Sequence, residues 1–178
     1  MPQVDGSVHG RSACGRTSGG TPVKYEEFVE GTEYESDERV VSLGEMLAFA
    51  ELYDRQAIHV GASAQRPVAD GPVADRPAAD RCAPVIASGY LGLAVTWQLW
   101  LDIGVFGEDA VAGVALEHAR WVRPMEPGVR VRARVRVTRT WVSSKGKGMV
   151  QLQLHLVDGA DELLSFETVA VMARRADG

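Results

Sequence analysis

Residues 88–103 read SGYLGLAVTWQLWLDI, and this stretch constrains the fold more than any other part of the chain. Its large apolar residues fall on every side of a helix instead of along one stripe, namely Tyr90, Leu91, Leu93, Val95, Trp97, Leu99, Trp100 and Ile103. A helix that is apolar all round is buried on most of its sides. Gly104 follows as a suitable C-terminal stop. We therefore predict one buried central helix from Ser88 to Ile103.

The last third of the chain alternates between apolar and polar residues with a period of two, which indicates β-strands. The alternation is strict over residues 129–138 and 150–156, and further strands are expected over 114–122 and 164–172. Turn-forming Pro, Gly, Ser and Asp residues separate these strands, with a spacing that suits an antiparallel meander. Since the sheet is apolar on one face and the helix is apolar all round, we expect the sheet to wrap the helix. This architecture is the hot-dog fold, in the α+β class.

A second, shorter helix is expected upstream of the central one. Ser42 and Glu45 fit a capping box, in which each side chain satisfies a free backbone N–H of the other residue. Val41 and Met46 are placed for a hydrophobic staple at the same helix end. Apolar residues then recur at helical spacing along one stripe, so this helix should extend to about Tyr53 and pack by one face.

The length of 178 residues favours a single domain, which we expect over residues 23–175. Residues 1–22 have too little apolar surface to offset the entropy of ordering, so a disordered tail is expected there. Residues 66–80 consist of three pentapeptides of the pattern x-Pro-Val/Ala-Ala-Asp, which predict an extended or mobile insertion. Both replication slippage and a functional lid are compatible with this repeat.

Composition argues against several classes of function. The net charge of −5 gives no electrostatic reason to expect nucleic acid or an anionic membrane as a partner. The chain has only two cysteines and no CxxC pair that would suggest a zinc site. Residues 1–21 lack the apolar core of a signal peptide, and the longest apolar run, residues 90–95, is far shorter than a membrane span. We therefore expect a cytoplasmic protein that needs no metal or redox cofactor.

One short segment carries the candidate chemistry. The P-loop, the GxSxG elbow, the HExxH motif and a GxGxxG turn after a strand are all missing from the sequence. What remains is Asp54-Arg55-Gln56-Ala57-Ile58-His59, directly after the first predicted helix. A carboxylate and an imidazole beyond a helix end can converge on one water and relay a proton near neutral pH. Asp54 and His59 are therefore the candidate catalytic pair, although the same spacing also arises by chance.

This segment resembles the Asp-x-x-x-x-His signature of the MaoC-like dehydratase family, which includes (R)-specific enoyl thioester hydratases. The resemblance is to the branch written Asp-Pro-Gln-Pro-Phe-His. Asp54, Gln56 and His59 match that pattern, whereas Arg55 and Ala57 replace its two prolines.

Three further blocks resemble the same family, and all of them occur in the family's order. Residues 84–90 are similar to its Ile-Ala-Ser-Gly stretch, which opens the central helix. Residues 116–128 (LEHARWVRPMEPG) are similar to its Arg-Trp-x-x-Pro block, and residues 164–167 to its closing strand. Four blocks in one order are more specific than any single block.

The resemblance implies a hydro-lyase that interconverts trans-2-enoyl and (R)-3-hydroxyacyl thioesters of coenzyme A or an acyl carrier protein. Asp54 and His59 would hold the reacting water, and the backbone N–H of Gly89 would meet the acyl carbonyl. A helix N-terminus suits that role, because it offers free N–H groups and a positive dipole end. Ser88 is either an N-cap only or also a substrate contact, and Gln56 is a further substrate-binding candidate. The family also implies a homodimer, with the thioester pocket at its interface.

Two alternative functions stay open at this point. A hot-dog thioesterase normally needs a carboxylate on the central helix, where Asp102 lies at the far end and Glu is absent. A non-catalytic or repurposed acyl-thioester-binding protein of a biosynthetic pathway is compatible with the replaced prolines around Asp54.

The other candidate residues have ordinary structural explanations. His118 and His155 lie within predicted strands, where a histidine is more commonly structural than catalytic. The arginine row over residues 130–136 is either a solvated sheet face or a site for the phosphates of the thioester carrier. The four tryptophans are expected in the core or an interface, with Trp97 or Trp100 as the candidates for lining a pocket.

Overall fold

The computed structural model describes residues 21–61 and 85–174. The expected tail lies outside this range except for its last two residues, and the expected insertion at 66–80 lies wholly outside it. The described elements follow in chain order: a 3-10 turn (Tyr25–Glu27), β1 (Glu33–Glu35), β2 (Arg39–Val40), α1 (Leu43–Tyr53), α2 (Gly89–Asp102), β3 (Ala110–Trp121), β4 (Arg130–Val142), β5 (Gly148–Asp158) and β6 (Asp161–Met172).

The strands form one antiparallel sheet, ordered β1-β4-β5-β6-β3, with β2 also pairing with β4. The predicted meander is confirmed for β4, β5 and β6, but it is wrong for β3, which pairs with β6 at an edge of the sheet and not with β4. Helix α2 packs against the apolar face of this sheet. The expected hot-dog fold of the α+β class is thereby confirmed. The short strands β1 and β2 were not expected from the sequence.

The alternation of apolar and polar residues in the sequence corresponds to the buried and exposed faces of the sheet. In β4, Val131 and Val137 are fully buried, whereas the arginines between the buried positions are exposed. In β5, Val150 and Leu156 are likewise fully buried. Because successive side chains on a strand point to opposite faces, the alternation places the apolar residues of these two stretches on the helix side.

Helix α2 begins after Ser88 and ends at Asp102, and Gly104 follows with a positive φ of 78°. Both ends are those expected. Val95, Leu99 and Trp100 face the sheet and are buried, but Tyr90 and Leu101 are exposed. The all-round apolar helix therefore leaves one flank open. Among the residues described, no helix is long and apolar enough to span a membrane.

Helix α1 begins where the capping residue predicted it. The Ser42 hydroxyl accepts the backbone N–H of Glu45 at 3.2 Å. The carboxylate of Glu45 pairs with the guanidinium of Arg39 and not with the backbone of Ser42, so half of the expected capping box is replaced by an ion pair. Val41 and Met46 are both fully buried, as a hydrophobic staple requires.

Candidate active site

The end of α1 brings Asp54 and His59 together. Asp54 is the C-terminal cap of the helix, and its backbone N–H donates to Ala50 O at 2.9 Å. The chain then turns back through two short hydrogen bonds, Gln56 N to Asp54 O at 2.7 Å and His59 N to Gln56 O at 2.8 Å. As a result, Asp54 Oδ2 lies 3.5 Å from His59 Nε2.

Asp54 is held as a carboxylate by two side-chain donors. The Ser88 hydroxyl donates to Asp54 Oδ2 at 2.6 Å, and Gln56 Nε2 donates to Oδ1 at 2.8 Å. The hydrogen bond from Ser88 is the largest cause that lowers the pKa of Asp54, followed by the bond from Gln56, while desolvation opposes both and the charge of His59 adds a smaller lowering. The carboxyl group is therefore ionised at neutral pH.

His59 has a defined tautomer when it is neutral. Its Nδ1 lies 2.9 Å from the backbone carbonyl of Ile86, which can only accept a hydrogen bond, so Nδ1 carries a proton. Neutral His59 therefore presents the lone pair of Nε2 toward Asp54. Two acceptors that face each other across 3.5 Å suit a shared donor such as water. His59 is buried, which limits its access to the cleft side.

Ser88 joins the candidate catalytic pair to the central helix. Its hydroxyl accepts the backbone N–H of Tyr90 at 3.2 Å, so Ser88 caps α2, and the same hydroxyl donates to Asp54. Ser88 is 1% exposed, and both bonds are made within the protein. The geometry thus favours the capping role over direct contact with substrate.

Gly89 offers the first backbone N–H of α2. Within the two described ranges, this N–H donates to no other group, as expected for the first turn of a helix. A Cβ atom at Gly89 would lie 2.3 Å from Nε1 of Trp121, so no other residue fits without displacing that side chain. Gly89 is thus fixed by its neighbour as well as by its place at the helix end.

These residues line one cleft of about 640 Å³. Asp54, Gln56, His59, Ser88 and Gly89 form its polar wall. The remaining walls are mainly apolar, with Tyr90, Trp121, Val122, Met125, Leu163 and Leu164 among the lining residues. A cleft with a few convergent polar groups and apolar walls is the usual form of a small-molecule site.

Trp121 is a lining residue that sequence reasoning missed. Trp97 and Trp100 were the candidates for lining a pocket, but neither lines this cleft, and both belong to the core region that was expected for the tryptophans. Trp100 is fully buried against Tyr34, with the ring centroids 5.4 Å apart. The available signal was the position of Trp121 in residues 116–128, which resemble the family's Arg-Trp-x-x-Pro block.

The arginine row is neutralised on its own sheet face. Arg132 binds Glu35 at 3.1 Å, Arg134 binds the same carboxylate at 2.9 Å, and Arg130 binds Glu38 at 2.9 Å. Arg134 is the largest cause that lowers the pKa of Glu35. The row is therefore an ion-pair network with strand β1 and the loop that follows it, as expected for a solvated sheet face.

The remaining candidates lie away from the cleft. His155 pairs with Glu162 at 2.8 Å, and His118 lies 3.6 Å from Glu167. Asp102 accepts a hydrogen bond from Gln98 at 2.8 Å at the far end of α2. Within the described part of the chain, no group of three or more His, Cys, Asp and Glu side chains could hold a metal ion.

No protein-family model matches the chain. The uncharacterized protein YdeM of Bacillus subtilis is 28% identical over 105 residues, which cover 59% of this chain and 66% of that protein, just under two thirds of its length.

Solved structures resemble the fold over most of the chain. A monoamine oxidase regulatory protein from Archaeoglobus matches with a TM-score of 0.68 and 19% identity, covering 88% of this chain and 97% of that one. A MaoC-like dehydratase from Rhodospirillum rubrum matches with a TM-score of 0.65 and 19% identity over 86% and 99% of the two chains. The R-hydratase PhaJ1 from Pseudomonas aeruginosa matches with a TM-score of 0.62 and 17% identity over 86% and 88%. This chain therefore has the hot-dog fold of the MaoC-like dehydratases and (R)-hydratases, as its four sequence blocks predicted.

Proposed function

We propose that this protein is a hydro-lyase that interconverts trans-2-enoyl and (R)-3-hydroxyacyl thioesters. The observation that carries the proposal is the approach of Asp54 Oδ2 to His59 Nε2, at 3.5 Å, in a cleft that also contains the Gly89 N–H. The thioester substrate and the (R) product follow from the resemblance of four segments to the MaoC-like family. The MaoC-like dehydratase and the R-hydratase that share the fold support the hydro-lyase class and the (R) configuration.

In the proposed hydration, one water molecule lies between Asp54 and His59. Neutral His59 accepts a hydrogen bond at Nε2 from one O–H of this water, and the Asp54 carboxylate accepts a hydrogen bond from the other O–H. As the water oxygen attacks the β-carbon, His59 takes the proton and the π electrons move onto the thioester oxygen. The imidazolium, stabilised by Asp54, then returns the proton to the α-carbon. Water is thus added across the double bond, and the enzyme regains its starting state.

The negative charge on the thioester oxygen is the second requirement of this reaction. We assign its stabilisation to the backbone N–H of Gly89 at the positive end of α2. Ser88 acts as a positioning residue, since its hydroxyl holds Asp54 and caps the same helix. Gln56, which donates to the other oxygen of Asp54, has an equivalent positioning role.

The proposed assembly is a homodimer. Strand β3 lies at the edge of the sheet, and Val111, Val114, Leu116, Trp121 and Val122 on or beside it are each more than half exposed. An open edge with exposed apolar side chains favours pairing with a second chain. A second copy at this edge would also lie close to the cleft, since Trp121 ends the strand and lines the cleft.

Turnover of crotonyl thioesters tests the proposed function. We expect loss of the enoyl absorbance at neutral pH and formation of the (R)-3-hydroxybutyryl product. This result is expected with the coenzyme A thioester, the acyl-carrier-protein thioester, or both. Hydrolysis that releases free thiol would instead indicate a thioesterase. Binding without any turnover would indicate the non-catalytic acyl-binding alternative.

A further inference from the structure

The indole of Trp121 lies flat on Gly89 at the start of the central helix. A Cβ atom built on Gly89 would be 2.3 Å from Trp121 Nε1, and 2.7 and 2.8 Å from its two ring neighbours Cε2 and Cδ1. These near-equal distances place the glycine above the ring nitrogen and out of the ring plane. The indole N–H therefore runs along the surface of the helix start and does not point into it.

The position of this ring is fixed by contacts on both sides. Trp121 is opposite Leu164 in the register of β3 and β6, and the next residue, Val122, donates its backbone N–H to Leu163 O at 2.8 Å. Leu164 packs on Gly92, where a Cβ atom would be 2.4 Å from Leu164 Cδ2. The cross-strand pair thus lies on two glycines one turn apart in α2. The ring of Tyr90 adds an edge contact, with a centroid distance of 6.4 Å.

The indole N–H is available to a ligand. It donates to no acceptor among the residues that the structure describes, and Trp121 is 52% exposed and lines the cleft with Asp54 and His59. The backbone N–H of Gly89 lies on the residue that the ring covers, and it too donates to no described group. The ring that carries one unused N–H donor therefore lies against the residue that carries the other, at the positive end of α2.

We propose that the indole N–H of Trp121 is a second hydrogen-bond donor to the thioester carbonyl oxygen, beside the backbone N–H of Gly89. This inference rests on the proposed function, because it needs an acyl thioester in the cleft. The hydrogen bonds from both donors would strengthen as the oxygen gains negative charge. Removing one such donor characteristically lowers kcat. The requirement for glycine at position 89 follows as well, since a side chain there would push the indole away.

Replacing Trp121 by Phe tests the donor separately from the ring, since Phe keeps an aromatic face but has no N–H. We expect W121F to lower kcat for crotonyl thioester by about tenfold or more. The matched control is W141F, because Trp141 contacts Arg139 on β4 and does not line the cleft. Since Trp121 is half-exposed, both variants should keep the wild-type melting temperature within about 3 °C.

A binding measurement separates this inference from the proposed reaction. Calorimetry would compare butyryl-coenzyme A with its thioether analogue S-butyl-coenzyme A, which lacks the carbonyl oxygen. The wild type should prefer the thioester, and W121F should lose about fivefold of that preference, while W141F keeps it. A full preference in W121F, or none in the wild type, would overturn the assignment of Trp121. If W121F loses the preference but the wild type turns over no enoyl thioester, the donor assignment stands and the hydratase proposal fails.

Discussion

The hydroxyl group of Ser88 links the N-terminus of helix α2 to the carboxylate of Asp54. It accepts the N–H of Tyr90 and donates to Asp54, so the acid is held against the start of α2. The folded-state pKa of Asp54 is below its ordinary value, with Ser88 as the largest cause. Such a group contributes stability above its ordinary pKa, and this contribution is lost as the pH falls through the folded-state pKa.

Ser88→Ala should therefore change both stability and the pH dependence of activity. Loss of the cap should lower the free energy of unfolding by roughly 1 kcal/mol. Loss of the donor should raise the pKa of Asp54, so the acid limb of the kcat/KM profile should move to higher pH. Ser42→Ala is the matched control, because Ser42 caps α1 without touching Asp54. A similar stability loss with no shift of the acid limb is expected for the control, and an unshifted limb in S88A would contradict the positioning role.

The proposed catalytic roles of Asp54 and His59 lead to a direct prediction. Because one water needs both partners, Asp54→Asn and His59→Ala should each lower turnover of crotonyl thioester by a factor on the order of a hundred or more. Asp102→Asn and His155→Ala are suitable controls, since both residues lie outside the cleft. Circular dichroism should show an intact fold in all four variants. Activity near that of the wild type in D54N or H59A would remove the proposed mechanism.

The residues of the site differ in how far the sequence could predict them. Asp54 and His59 are close in sequence and match a motif, and Ser88 and Gly89 lie where a helix must begin. Trp121 is different, because its contact with Gly89 depends on the register of β3 against β6 and on the path of α2. A period of two assigns a face to a strand residue, but it does not say which helix residue that face meets.

At the scale of elements, local sequence determined the long elements and failed for the short ones. Helix α2 and the alternating strands carry a strong pattern, so their positions were predicted closely. Strands β1 and β2 are only three and two residues long, and Glu33–Glu35 and Arg39–Val40 contain three charged residues out of five. Their extended conformation comes from pairing with β4, as in the bonds of Arg132 and Arg134 to Glu35. Pairing with a strand that is distant in sequence produces no periodic pattern within these two short segments.

The contact of α2 with β6 predicts opposite effects for two helix glycines. A Cβ atom at Gly92 would be 2.4 Å from Leu164 Cδ2, and Leu164 is itself buried, so Gly92→Ala should lower the free energy of unfolding by about 1–3 kcal/mol. A Cβ atom at Gly44 in α1 would be 3.9 Å from the nearest neighbouring atom. Gly44→Ala should therefore raise the free energy of unfolding by roughly 0.5–1 kcal/mol, because alanine has the higher helix propensity. Denaturant unfolding measures both values. Equal effects of the two changes would show that Leu164 moves aside freely.

At the scale of the whole molecule, the two edges of the sheet differ. Strand β1 is short and β4 pairs with it by ion-paired side chains, whereas β3 is twelve residues long and lies at the other edge. Register shifts interrupt the pairing of β3 with β6 at three places, between Ala110 and Arg120. The long edge is therefore irregular, apolar and open. Sequence alone showed the apolar residues of this segment but not that they lie at an edge.

The open edge predicts a dimer whose loss should also reduce activity. Light scattering should return twice the chain mass of 19.2 kDa at micromolar concentration. Placing charges on the edge with Val114→Lys and Leu116→Lys together should convert the protein to a monomer, because each new ammonium group would have to be desolvated at the contact. The control is Val29→Lys, an exposed position before β1 and remote from β3 in the sheet order. Neither Val114 nor Leu116 lines the cleft. If the double variant is a monomer with reduced turnover, and V29K keeps full turnover, the second copy completes the site. A monomeric wild type would contradict the proposed assembly, and a fully active monomeric variant would confine the reaction to one chain.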